Sequence, residues 1–179
     1  MGEQLYHVSD EDAEVGAVDR DRAHQEGVLH RSGIVFLRRT DGRVLVQHRS
    51  PQKRIFPDRF DASAAFHVTY GESYLQAAAR ELVEETGVST PLEQVGKFVH
   101  HDPPEHQYVA VFVGTSDAPI RVDPSESTGF EWVTGAELDR IVCDRPVTPW
   151  LRDGWPRARS RVGGTGPRAS GLPTHGSPP

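Results

Sequence analysis

The sequence predicts a mixed α/β sandwich, and three observations carry that expectation. Short apolar, β-branched runs lie on both sides of one long amphipathic segment. That segment carries a complete set of helix start and stop signals. The chain has 179 residues, enough for one domain with a hydrophobic core and tight for two.

Residues 33–38 and 44–49 read as strands, joined by a turn at Thr40-Asp41-Gly42. Residues 61–68 read as extended. Residues 73–86 form the strongest helix signal: Ser73 can cap it, Gln76 completes a capping box, and Gly87 stands where a left-handed terminal glycine belongs. Leu75, Ala78, Ala79, Leu82 and Val83 then form its apolar stripe. Residues 92–99, 107–114 and 130–133 read as further strands. Thr134 and Glu137 make a second capping box, opening a short helix, and Pro149 can start a last one. From Pro156 onward the chain is rich in Gly, Pro, Ser and Arg with little to bury, which predicts a disordered tail. The expected organisation is a single domain over 1–155 and a tail over 156–179.

Composition excludes several classes. With 20 basic against 26 acidic residues and a net charge of −6, the chain does not look like a general nucleic-acid binder. A single cysteine, Cys143, allows neither an intrachain disulfide nor a cysteine-built zinc site. No run approaches the roughly 18 apolar residues of a membrane span. The N-terminus lacks the basic and apolar regions of a signal peptide. The expectation is a soluble cytoplasmic domain.

The central helix carries the chemistry. Glu81, Glu84 and Glu85 stand at i, i+3 and i+4, neighbours on one helix face. The apolar stripe is expected on another face. In a cleft with an effective dielectric near 20, like charges that close repel by roughly 3 kcal/mol per pair. Divalent cations remove that repulsion, and Mg²⁺ favours carboxylates, waters and substrate phosphates. A solvated helix with Arg80 paired to Glu84 is the competing explanation for any two of these residues. The run Arg80-Glu81-x-x-Glu84-Glu85-x-Gly87-Val88, with Glu72 eight residues before Arg80, is far more specific.

That run resembles the Nudix box, Gly-x5-Glu-x7-Arg-Glu-U-x-Glu-Glu-x-Gly-U, where U is aliphatic. Glu72, Arg80, Glu81, Leu82, Glu84, Glu85, Gly87 and Val88 match; Phe66 replaces the opening glycine. The resemblance implies an α/β/α sandwich with a mixed sheet. It implies Mg²⁺- or Mn²⁺-dependent hydrolysis of a small-molecule diphosphate linked to another moiety. Glu81 and Glu85 are then the core metal ligands, with Glu84 a further ligand or water-positioning carboxylate. Arg80 orients the glutamates and Glu72 supports the loop. Glu126, before Trp132, is a candidate additional metal-site and catalytic carboxylate, with Glu131 the alternative. Phe66 bears on the backbone of its loop and on how open the site is.

A longer stretch, roughly residues 5–155, is similar to the type I isopentenyl diphosphate isomerase branch of the same superfamily. The similarity rests on Ala23-His24, Leu29-His30-Arg31, the run from Gln47 to Pro57, the run from Asp61 to His67, Pro104-Glu105-His106-Gln107 and Val147-Thr148-Pro149-Trp150. It implies a second metal place at His24, His30, His67 and Glu105, with Gln107 at the fifth position. It implies that Arg49 and Lys53 bind diphosphate oxygens, which suits their chemistry. Ala65 takes the place of the isomerase cysteine that protonates the alkene, while the glutamate set is complete. Both differences point to a hydrolase. An isomerase-like enzyme and a non-catalytic nucleotide-binding module are the alternatives. His100 and His101, if in one strand, point to opposite faces. Phe56, Phe60, Phe66 and Tyr70 read as core packing near the box loop. Selectivity is expected in the loops at 52–59, 100–106 and 116–129.

Overall fold

The computed structural model describes residues 2–121 and 126–162. Along the chain run β1 (Gln4–Val8), β2 (Glu14–Asp19), α1 (Arg20–Glu26), β3 (His30–Arg38) and β4 (Val44–Arg49). Next come β5 (Phe60–Asp61), β6 (Ala64–His67), α2 (Tyr74–Thr86), β7 (Leu92–Asp102) and β8 (Glu105–Thr115). β9 (Ser127–Val133), α3 (Gly135–Asp144) and α4 (Pro149–Val162) complete it.

β3 organises the mixed sheet. It lies parallel to β8 from His30 to Arg38, and antiparallel to β6 from Ser32 to Val35. β7 pairs antiparallel with β8, and β1 extends the sheet from β3 with β2 at its edge. β4 meets β3 only at Arg38↔Val44, then carries β5 and β9 as a second wing. Alternation along β3 builds two cores. Ile34 and Phe36 join Val109, Val111, Leu138, Leu151 and Trp155 on the α3–α4 side. Val35 and Leu37 join Ala110, Phe112, Ala77, Ala78 and Leu82 on the α2 side. The result is the α/β/α sandwich that the glutamate run implied.

Three expectations need correction. The first concerns the face of α2. Ser73 and Gln76 form the capping box and Gly87 ends the helix at φ 74°. Leu75 (50% exposed) and Val83 (45%) nevertheless face solvent, as does Ala79. Ala77, Ala78 and Leu82 face the sheet, and Glu85 and Thr86 are buried with them. Small residues at 77 and 78 let the helix lie close to β6, and the rotation carries Glu81 and Glu85 inward rather than onto a separate polar face.

The second correction is the domain end. α4 runs through Pro156 to Val162, so residues 156–162 are helical. Leu151, Trp155, Ala158 and Val162 are buried at helical spacing. The arginines of the same stretch lie on its outer side: Arg159 pairs with Asp139 and Arg161 with Glu93 at 3.1 Å. The part of the expected tail from 163 onward lies outside the described residues. The third concerns the N-terminus, where β1, β2 and α1 form elements the strand reading did not anticipate. Asp19 caps α1 through Asp21 and Arg22 N–H, and Gly27 closes it at φ 66°.

Candidate active site

A cavity of about 750 Å³ opens where β3 and β4 have separated. β3 contributes Ser32, Gly33 and Ile34, and β6 contributes Ala65, Phe66 and His67. Glu81, Glu84 and Glu85 of α2 and Glu126 line it, together with Arg49, Lys53 and Arg54. These four carboxylates and three cations come from distant parts of the sequence and share one cavity.

Arg80 fixes the glutamates from outside the lining. Its Nε and Nη2 donate to the two oxygens of Glu72 at 2.9 Å each, a parallel, bidentate pair. Its Nη1 donates to Glu81 at 2.7 Å and reaches Glu84 at 3.4 Å. The Arg80 bonds hold the Glu72 carboxyl below its ordinary range. Burial raises that of Glu81 despite the same arginine. Glu85 is only 5% exposed. Burial pushes its carboxyl up to about 8, a bond from Gln47 Nε2 at 2.8 Å opposes the rise, and the charges of Glu126, Glu81 and Asp61 add to it. A buried carboxylate among like charges, with one amide donor, is a group that a divalent cation would stabilise. The residues present thus suit a divalent cation, which Glu81 and Glu85 would hold, with Glu84 and Glu126 on the same cavity.

Glu126 pairs with Lys53 across the cavity wall. Glu131 pairs with His48 at 2.9 Å and is not part of the lining. That separates the two carboxylates the sequence left open. Arg49 lines the cavity, with three of its five N–H donors engaged by Phe56 O at 3.0 Å, Ile55 O at 2.9 Å and Asp61 Oδ2 at 3.0 Å.

Phe66 does not plug the site. It lies in β6 with ordinary strand dihedrals, opposite Gly33 in register, and its ring is buried toward Phe112 on the α2 side. A Cβ on Gly33 would sit 2.4 Å from Phe66 Cζ. A ring at this position is thus accommodated by a glycine on the neighbouring strand.

His24, His30 and His67 converge, each offering a ring nitrogen within 4.8 Å of the others. His24 Nδ1 meets both oxygens of Glu105 at 3.0 Å, and Gln107 Nε2 donates to Glu105 at 2.6 Å. His30 Nδ1 bonds to Val28 O at 2.8 Å, which leaves its buried Nε2 without a partner; the buried Nε2 of His67 has none either. Burial lowers the His30 ring to about 4 and holds His67 well below its usual value, so both are neutral near pH 7. Neutral imidazoles with unpartnered nitrogens are the donor state a metal requires.

His100 and His101 do alternate: His100 is buried and His101 exposed, and neither lines the cavity. Phe60 and Phe66 are core residues, whereas Tyr70 is 43% exposed and meets Tyr6 at a tilt of 44°. Of the expected selectivity loops, Lys53, Arg54, Ile55, Glu105 and Glu126 reach the lining, and residues 122–125 lie outside the described set. Sequence reasoning gave no role to Gln47, Asp61 or Trp150, nor to Asp19, Arg20 and Asp21, which also line the cavity. The Asp19 and Gly27 caps around α1 were the available signal for the last three.

Comparison with known proteins gives the family. The NUDIX domain model matches residues 28–151. An isopentenyl-diphosphate Δ-isomerase of Serratia proteamaculans is 34% identical over 84% of this chain and 88% of its own. A prenyl-diphosphate phosphatase of Methanosarcina mazei is 35% identical over 84% and 91%. A crystal structure of a Deinococcus radiodurans protein superposes with a TM-score of 0.73 at 28% identity, covering 89% of this chain and 99% of that one. With the glutamate set complete in sequence and gathered on one cavity, the chain belongs to the NUDIX family, among its hydrolases.

Proposed function

We propose that the cavity hydrolyses a phosphoanhydride bond in a diphosphate linked to another moiety, by attack of water on phosphorus, with Mg²⁺ or Mn²⁺. The observation that carries this reading is the convergence of Glu81, Glu84, Glu85 and Glu126 with Arg49, Lys53 and Arg54 on one cavity. A divalent cation bound by Glu81, Glu85 and Glu84 supplies charge neutralisation and a more acidic water. Arg80 holds Glu81 and Glu84 in place. Glu84 and Glu126 are the carboxylates available to take the water proton. Lys53 exchanges its Glu126 partner for a phosphate oxygen, and Arg49 contributes a fixed positive charge.

Nucleoside di- and triphosphates and their derivatives are the leading substrate class. The phosphatase among the relatives adds prenyl diphosphates. The test is phosphate or pyrophosphate release from nucleoside di- and triphosphates, nucleotide sugars, dinucleotides and isopentenyl diphosphate. Each is assayed with Mg²⁺, with Mn²⁺ and with chelator. Metal-dependent release is the expected result; saturable binding without turnover would establish a binding module instead.

The relatives named as isomerases favour a second reading, which the lining residues oppose. Ala65 offers no proton donor, and the Trp150 indole N–H is already bonded to Asp61 at 2.8 Å. A proton-exchange assay on isopentenyl diphosphate separates the two. We further propose that His24, His30, His67 and Glu105 hold a second metal ion. Dialysis against Mn²⁺ or Zn²⁺ should then leave bound metal that His67→Ala loses, and equal metal content in both proteins would overturn it.

A further inference from the structure

Asp61 is fully buried on the two-residue strand β5. Its Oδ1 accepts from Ala62 N, Thr148 Oγ1 and Trp150 Nε1, each at 2.8 Å. Its Oδ2 accepts from Arg49 Nη1 at 3.0 Å. Two of these four donors, Arg49 and Trp150, line the cavity.

Both lead on to the same loop. Arg49 donates to the carbonyls of Ile55 and Phe56. The Trp150 ring meets the Phe56 ring edge-on at 5.3 Å. The loop they hold carries Lys53, Arg54 and Ile55 into the lining, yet Phe56 and Asp58 stand at φ 50° and 54°. Aspartate tolerates left-handed backbone, but at a bulky residue such as Phe56 it persists only where the surroundings impose it. Here the imposition closes a circuit: Asp61 to Arg49 to Phe56 to Trp150 and back to Asp61.

We propose that Asp61 is a positioning residue for substrate binding, which sets the cationic and aromatic wall of the cavity through Arg49 and Trp150. This rests on the cavity being the diphosphate site. Asp61 touches no substrate; it decides where Lys53 and Arg54 stand. An amide at this place can still accept from Ala62, Thr148 and Trp150 through its single oxygen. It then turns N–H donors toward Arg49, which has only donors to offer. Asp61→Asn therefore frees Arg49 and the loop while the Glu81–Glu85 side stays intact.

The test compares the wild type, Asp61→Asn and Thr148→Val. Thr148→Val removes one donor from Asp61 without touching Arg49, Trp150 or the loop. Hydrogen exchange over residues 51–58 is measured without ligand, and KM and kcat on whichever diphosphate the wild type hydrolyses. Asp61→Asn should speed loop exchange and raise KM at least tenfold with kcat within about threefold. Thr148→Val should lower the melting temperature and leave KM within twofold. Unchanged loop exchange and unchanged KM in Asp61→Asn would overturn the proposal, as would equal KM shifts in the two variants. Should Asp61→Asn fail to fold, Trp150→Phe keeps an aromatic ring and removes the N–H, and unaltered loop exchange there would also overturn it. Loop exchange needs no turnover. A wild type that hydrolyses nothing while its loop is protected would sink the hydrolase reading alone, and one whose loop exchanges freely would sink the positioning role.

Discussion

Replacing Glu85 by Gln should stabilise the metal-free protein while removing its activity. Burial places the Glu85 carboxyl at about 8, against 4.5 for an exposed glutamate. Because the folded value lies above the unfolded one, the folded state binds the proton more tightly. The associated stability is fully present below pH 4.5 and is lost as pH rises toward 8. At pH 7 the loss is about 3 kcal/mol, at 1.36 kcal/mol for each pH unit above 4.5. The amide of Glu85→Gln carries no charge and can still accept the Gln47 bond, so the variant avoids that loss. For a chain of this size, about 3 kcal/mol corresponds to a rise in melting temperature of roughly 6–12 °C. The assay is thermal unfolding in chelator from pH 5 to pH 8. The variant should melt well above the wild type at pH 8 and close to it at pH 5. Added Mg²⁺ or Mn²⁺ should raise the wild type more than the variant, whose histidine cluster is intact, and metal-dependent turnover should fall by roughly 100-fold or more, as for loss of a ligand or its direct support. A variant that melts at or below the wild type at pH 8 would refute the argument, because burial would then not be penalising the charge.

Other outcomes follow from the same structure. Arg49→Ala should raise KM and cost about 3–5 kcal/mol, since it leaves the buried Asp61 carboxylate without its cation; denaturant unfolding checks the second part, and an unchanged KM would remove Arg49 from substrate binding. Gly33→Ala should cost roughly 1–3 kcal/mol through overpacking against Phe66, and Phe66→Ala in the same protein should recover part of it, so a strictly additive double-mutant cycle would deny the contact. On α2, Leu82→Ala should cost about 2–5 kcal/mol and Leu75→Ala less than about 0.5 kcal/mol; comparable losses would mean the helix presents the stripe first read from its sequence.

The elements with local signals were legible. The α2 and α3 capping boxes, the Gly87 terminus and the β3–β4 pair are written in neighbouring residues and survive into the structure. The glutamate constellation was legible because helical spacing ties its members together. What failed was the face of α2. Five apolar residues made a plausible stripe, but the helix turns two alanines and a glutamate inward and leaves Leu75 and Val83 outside, because the small side chains allow close approach to the sheet. The end of α4 was hidden by composition: arginines and Pro156 masked apolar residues that recur at 151, 155, 158 and 162. Asp61 stands in a run that carries the family resemblance, but nothing in that run gives it a role. Its importance lies in Arg49, Thr148 and Trp150, up to 89 residues away, and no local pattern reports a hub of that kind.

The distribution of titratable groups favours the proposed hydrolysis over isomerisation. An isomerisation needs an acid at the carbon that gains a proton. The lining residues Gly33, Ile34, Ala65 and Val109 themselves carry no titratable side chain, and the Trp150 indole N–H is engaged by Asp61. Hydrolysis at phosphorus needs no acid there. It needs carboxylates that accept a proton and bind a cation, and positive charge for the phosphate oxygens. In the proposed reaction Glu84 and Glu126 would meet the first need, Glu81 and Glu85 the second, and Arg49 and Lys53 the third; all six line the same cavity. A thiol introduced as Ala65→Cys would add an acid at that position and leave the glutamate set untouched. Metal-dependent phosphate release should therefore persist within about threefold in that variant, since the substituted group takes no part in transition-state stabilisation. A loss of release greater than tenfold, with folding intact, would mean that the phosphorus sits beside residue 65 and that the carboxylates of α2 are not where the bond breaks.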